Sequence, residues 1–205
     1  MTVSVTRLEQ IGRTRLSRSF FLRDFLHSEI AAVHAVLNVP DDLALAVEAG
    51  SKLCNELLEP IQARFGRVAV RSAFRSSAVN GIGNRNGHNC ARNESNWAAH
   101  IWDRRDRHGR MGAMACIVVP SLVDHVDAGG RWTEMAWWIH DHLPYSRLQF
   151  FPKLVAFNIG WREEPERVIR SYVAPKGTLT RPGMANHQGN HEEHYRELLA
   201  SIAPR

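Results

Sequence analysis

Scarcity of cysteine and of long apolar runs limits this chain before any motif is read. Cys54, Cys90 and Cys116 are its 3 cysteines, an odd number at wide spacing, so a disulfide framework is excluded and free thiols are expected. No segment approaches the roughly 18 apolar residues of a membrane span, and "MTVSVTRLEQIGRTRLSRSFF" carries basic residues without the apolar core of a signal peptide. Synthesis in the cytoplasm, with no membrane partner, is the expectation. No run of like charges marks a nucleic-acid tail. The net charge of +5, from 26 basic and 21 acidic residues, favours acidic or phosphate-bearing surroundings without making nucleic acid the expected partner. Gly81, Gly83 and Gly87 lie in a glycine-bearing stretch that lacks a Gly-Lys-Ser/Thr ending, which excludes the phosphate loop of an NTPase. Ser72, Ser76 and Ser77 stand in no Ser/His/Asp order of a known triad.

An apolar share of 44% with 6 Trp in 205 residues describes one ordered domain over 1–205 with a single sizeable core. "SRSFFLRDFLHSEIAAVHAVLNVP" predicts one or two short helices stopped near Asn38 and Pro40. Leu43, Ala46, Val47, Gly50, Leu53, Cys54, Leu57, Leu58, Ile61 and Phe65 then recur at helical spacing, with Asp41 and Asp42 as cap candidates, Pro60 as a kink and Gly66 as the stop. "RVAVRSA" alternates as a strand, and an inserted polar loop is expected over about 80–111. "AMACIVVP" reads as a buried strand, "TEMAWWIHDHL" as a helix capped by Thr133, and "RLQFFPKLVAFNIGW" as two strands. The region of about 172–205 is expected as a C-terminal arm that ends in a surface helix.

This order of elements, and "SAFRSSAVN" and "MAWWIHDHLPYSRLQFF" within it, resembles the zinc D-alanyl-D-alanine peptidases of the M15 type, especially their small phage versions. The likeness spans roughly residues 15 to 161. It implies an α+β fold, DD-peptidase-like, with a helical N-terminal half packed on a mostly antiparallel sheet and a cleft across that sheet. It also implies a site: zinc on a His and an Asp from S-x-H-x-x-G-x-A-x-D, a second His after the last strand, and a Glu as general base. Three protein ligands leave zinc an open position for water, and the carboxylate takes that water's proton.

In this chain the Asp position falls on Cys116 and the second His on Asn158. The Glu falls on Phe151, or on Phe150 after a one-residue slip. The residue three before Gly112 is Gly109; His108 is one step off, and His100 lies behind an apparent insertion. A phenylalanine cannot accept a proton, so the expectation is a degenerate, non-hydrolytic domain with no cofactor, serving binding, structure or assembly. Protein partners, self-assembly, a peptidoglycan peptide and a place in a phage particle belong to that reading. The alternative is an active zinc D,D-carboxypeptidase or endopeptidase acting on peptidoglycan, with His100, Asp103, His108 and Cys116 as rewired metal ligands and Asp106 nearby. Against it, Arg104, Arg105, Arg107 and Arg110 repel a cation and fit a salt-bridged loop. The family's matching arginine is Arg75, whose guanidinium would grip a peptide carboxylate or tie its loop to the core. His140 and His142, two apart on a helix, and His187, His191 and His194 read as exposed or incidental histidines.

Overall fold

The computed structural model describes residues 4–202. The N-terminal half is helical for reasons visible in its caps. α1 (Val5–Gly12) starts where Ser4 Oγ accepts from Arg7 N–H, and α2 (Glu29–Val33) where Ser28 Oγ accepts from Ala31 N–H. Between them a 3-10 turn (Leu22–Phe25) drives Leu22 and Phe25 into the core. α3 (Leu43–Leu53) is capped by the Asp42 carboxylate and runs through a π turn (Cys54–Leu58) into α4 (Glu59–Phe65). The expected kink at Pro60 takes the form of that π turn, in which Glu59 N–H reaches back to Cys54 O. Gly66, at φ 84°, ends the run. Gly50 lets the helix touch the core, since a Cβ there would sit 2.8 Å from the Trp102 ring.

β1 (Ala69–Ser72) opens a six-stranded sheet of order β1-β2-β4-β3-β5-β6, completed by β2 (Gly112–Val118), β3 (Arg147–Phe150), β4 (Phe157–Arg162), β5 (Val168–Ser171) and β6 (Gly177–Thr180). Every pairing is antiparallel except β3 with β5. The mixed α+β expectation thus holds. Alternation then sorts the strands into two faces. Ala113, Ala115, Ile117, Leu148, Phe150, Phe157, Ile159 and Ile169 are buried in the main core with the helices. The other face keeps half-buried Cys116, Asn158, Gln149 and Arg147 and exposed Arg170.

Several elements depart from the sequence reading. The polar insertion contains α5 (Ser77–Arg85) and α6 (Asn93–Asn96), and its asparagines supply the reason. Asn80 Nδ2 donates to Ala91 O and Asn93 Oδ1, Asn84 Nδ2 donates to Cys90 O, and Asn96 Nδ2 donates to Asn80 Oδ1. Weak helix formers hold a helix here because their amides pin the returning chain. α7 (Pro120–Asp127) follows β2 directly, with its proline in the first turn where the missing N–H costs nothing. α8 (Trp132–His142) begins one residue before the expected Thr133 cap, and Glu134 Oε1 accepts Arg131 N–H there instead. The supposed arm contributes β6 to the sheet, beside β5, and its terminal helix is only α9 (Arg196–Ser201).

Candidate binding surface on the polar row of the sheet

Cross-strand register places one row of side chains across the sheet: Ser72 opposite Cys116, Cys116 opposite Asn158, Asn158 opposite Gln149, Gln149 opposite Arg170, and Arg170 opposite Thr178. Directly opposed residues share a face, so the row is polar from end to end. It contains no carboxylate and no histidine. A bulge at Arg71 offsets β1 just before the row begins.

The loop after β1 is tightly built. Asn38 Nδ2 donates to Leu26 O and Phe74 O, Asn38 Oδ1 accepts from Ser76 N–H, and Ser76 Oγ caps α5 through Val79 N–H. Arg75 N–H donates to His100 O at 2.8 Å, and His100 Nδ1–H donates to Ala73 O at 2.8 Å. Both tie the loop to the segment before β2. The Arg75 side chain reaches Ser72 Oγ at 3.2 Å and Cys90 Sγ at 3.4 Å, neither of them a carboxylate. Arg75 is half-buried; its backbone holds the loop, while its side chain has no acidic hydrogen-bond partner among the described residues.

Electrostatics follow from these placements. Burial, helped by Arg75, pushes the His100 pKa down to about 3, so the ring is neutral and its Nε2 is left without a hydrogen bond. Burial pushes the Cys116 thiol up, against the pull of Arg71 and Arg75, so a neutral thiol sits between two cations.

The residues needed for zinc hydrolysis do not assemble. Among the described residues no group of three or more His, Cys, Asp or Glu side chains is placed to hold a metal. The rewired set is spread over separate duties. Asp103 Oδ2 accepts Asp41 N–H at 2.7 Å, its Oδ1 is buried without a partner, and burial raises its pKa. His108 is exposed, and its Nε2 accepts from Arg107. Asp106 takes the backbone N–H groups of His108 and Arg110 and faces Arg162 at 3.5 Å. Arg104 pairs with Asp41, Arg105 with Glu163 and Arg110 with Glu164. The loop is the salt-bridged surface that its arginines foretold. At the base position Phe150 is fully buried between Trp132 and Phe157, and Phe151 stacks on Tyr172. Asn158 offers a carboxamide, whose one side-chain hydrogen bond among the described residues goes to Gln149 at 3.5 Å. Neither the donor set nor the base position fits a zinc peptidase.

No protein-family model, curated protein or solved structure matches this chain. The likeness to M15 peptidases therefore rests on the quoted residues alone.

Two arrangements escaped the sequence reading. Ser201, His125 and Glu134 come together, with Ser201 Oγ 3.0 Å from His125 Nδ1 and His125 Nε2 3.0 Å from Glu134 Oε2. They form a clamp and not a triad: the Ser201 hydroxyl donates to Leu198 O, and Glu134 also receives Leu198 N–H. A hydroxyl that already donates elsewhere offers its proton to no base. The second arrangement overturns the reading of His140, His187 and His191 as exposed or incidental, while His142 and His194 are exposed as expected. His140, His187 and His191 are 5%, 9% and 6% exposed, packed where the C-terminal segment crosses the end of α8. Spacings of 47 and 51 residues from His140 carry no sequence signal, because only the return of the chain brings them together.

Proposed function

We propose that this chain is a non-hydrolytic, DD-peptidase-like domain that holds a carboxylate-bearing ligand, such as a peptide C-terminus, on the polar row of its sheet. One observation carries the reading: a half-buried Arg75 beside a continuous polar row that lacks both a metal-binding group and a general base. A guanidinium whose hydrogen bonds go to no carboxylate keeps N–H donors for one. The same row has nothing to activate water. Resemblance to the M15 peptidases supplies the ligand class, the D-Ala-D-Ala end of a peptidoglycan peptide. Zinc is no part of this reading, and neither is a catalytic role for His100, Asp103, His108 or Cys116.

Calorimetric titration with an N-acylated D-Ala-D-Ala dipeptide, its C-terminal amide and the Arg75→Gln variant tests the proposal. Binding of the acid, weakened about tenfold or more by amidation or by Arg75→Gln with the fold intact by circular dichroism, is the expected result. Equal affinity for acid and amide would sink the carboxylate assignment. Release of D-alanine with stoichiometric zinc would replace the binding domain by the competing zinc D,D-peptidase.

A further inference from the structure

A cavity of about 420 Å³ opens between the C-terminal end of α8, the residues just before β5 and the segment that follows β6. Its wall includes His140, His142, Arg167, His187, Asn190 and Tyr195. Arg167 is half-buried; it donates to Leu143 O and His140 O, both at 2.6 Å, and its guanidinium lies 4.5 Å from the Tyr145 ring centre. Both hydrogen-bond acceptors are neutral carbonyls. The charge is placed by the helix end it caps, and the remaining N–H groups of the fork make no hydrogen bond within the protein.

The acid in the wall is already spent. Asp141 receives His191 N–H at 2.8 Å, His191 Nδ1–H at 2.6 Å and the Tyr195 hydroxyl at 3.2 Å. Burial alone would raise its pKa, yet the contacts from His191 and Tyr195 hold the carboxyl below its usual range, so it stays ionised. His191 Nε2 faces Asn186 O at 3.0 Å, and its ring is stacked on Trp137 at 4.2 Å. The Asp141 carboxylate is thus engaged by His191 and Tyr195. Arg167 is left as the wall's cation with no carboxylate among its hydrogen-bond partners in the described residues.

Two more histidines complete the wall. His140 Nε2–H donates to His187 O at 2.9 Å, so its Nδ1 accepts from the Tyr145 hydroxyl at 2.7 Å and the ring is neutral. His187 sets Nδ1 against Thr180 Oγ1 at 3.1 Å and leaves Nε2 without a protein partner. Burial first, then Arg167 and His191, push its pKa down, so the empty cavity resists a second cation. An anion in the cavity removes that resistance. His142 Nε2 contacts the Tyr195 hydroxyl at 3.2 Å, and Glu192 is the nearby acid on the following turn.

We propose that this cavity binds a phosphate group, held by the free face of the Arg167 fork and by His187 Nε2, with the Asn190 amide at the rim. A phosphate dianion matches two cations, and its several oxygens match a fork plus an imidazolium better than a carboxylate's two. Binding therefore takes up a proton at His187. The cavity exceeds inorganic phosphate in size, so free phosphate and a phosphate monoester are both admitted by the same chemistry.

The test is a titration of the full chain with inorganic phosphate and, separately, with glycerol 3-phosphate, followed by histidine NMR resonances at constant ionic strength in chloride. Saturable shifts at His187, several-fold tighter binding near pH 6 than near pH 8, and about tenfold weaker binding in His187→Asn are expected. Tighter binding of the monoester assigns the site to an esterified phosphate, and equal binding assigns it to the free ion. Arg167→Gln removes a cap of α8 and its fold is checked first; His187→Asn leaves that cap in place and decides the matter alone. Saturation by chloride, no shift at His187, or unchanged affinity in His187→Asn overturns the proposal.

Discussion

The polar row of the sheet and the cavity at the end of α8 are built on opposite principles. Along the polar row, groups stand side by side across strands with few partners among the described residues: Cys116 is a neutral thiol, Asn158 has one side-chain hydrogen bond at 3.5 Å, and nearby His100 has no hydrogen bond at Nε2. In the cavity nearly every titratable atom is engaged, and Asp141 alone accepts three hydrogen bonds. Groups that lack partners are groups a ligand can supply. Groups locked together do structural work, and only the atoms left over, an Arg167 fork and one imidazole nitrogen, remain for binding.

The largest expected effect breaks that contrast from the cavity side. Asp141→Ala strands the His191 ring and backbone N–H and the Tyr195 hydroxyl and should cost about 3 kcal/mol in urea unfolding, while Asn158→Ala in the polar row should stay within about 1 kcal/mol. Comparable losses at both sites would erase the distinction.

Acid titration comes next. His100 and His140 are both held below their ordinary pKa when folded, chiefly by burial, so the unfolded chain binds these protons first. Stability is then full above about pH 6.5 and is lost as pH falls toward the folded values, by up to about 1.4 kcal/mol per pH unit for each group. For His100 the window runs down to about 3. Replacing His100 by Gln should flatten the acid limb of a stability profile, and an unchanged slope would show that the ring is protonated in the fold.

The smallest effect sharpens the polar-row side. Cys116→Ser should shift stability by no more than about 0.5 kcal/mol, and the native thiol should react with iodoacetamide well below the rate of an unfolded control. Rapid alkylation at neutral pH would mean that Arg71 and Arg75 prevail over burial.

Much of this architecture was legible. The helical run from Leu43 to Phe65, the strands around "AMACIVV" and "RLQF", and the salt-bridged arginine loop follow from periodicity and charge, because each is decided by neighbours in sequence. The asparagine-rich stretch was not legible as α5, since its amides find their acceptors only after the chain turns back. Of the candidate site, Arg75, Cys116 and Asn158 were named through the resemblance to the M15 peptidases. The row that joins them to Ser72, Gln149 and Arg170 depends on strand order and register, which no local pattern encodes.

What the sequence determined by itself is therefore a mixed helical and stranded domain with its cysteines as free thiols. Tertiary structure alone decided that His100 and Cys116 both come under the charge of Arg75, that His140 meets His187 and His191, and that Arg167 faces a cavity whose acid is already hydrogen-bonded. The reason is common to all three. Burial and hydrogen-bond partners set the charge of a titratable group, and both are supplied by chain segments distant in sequence.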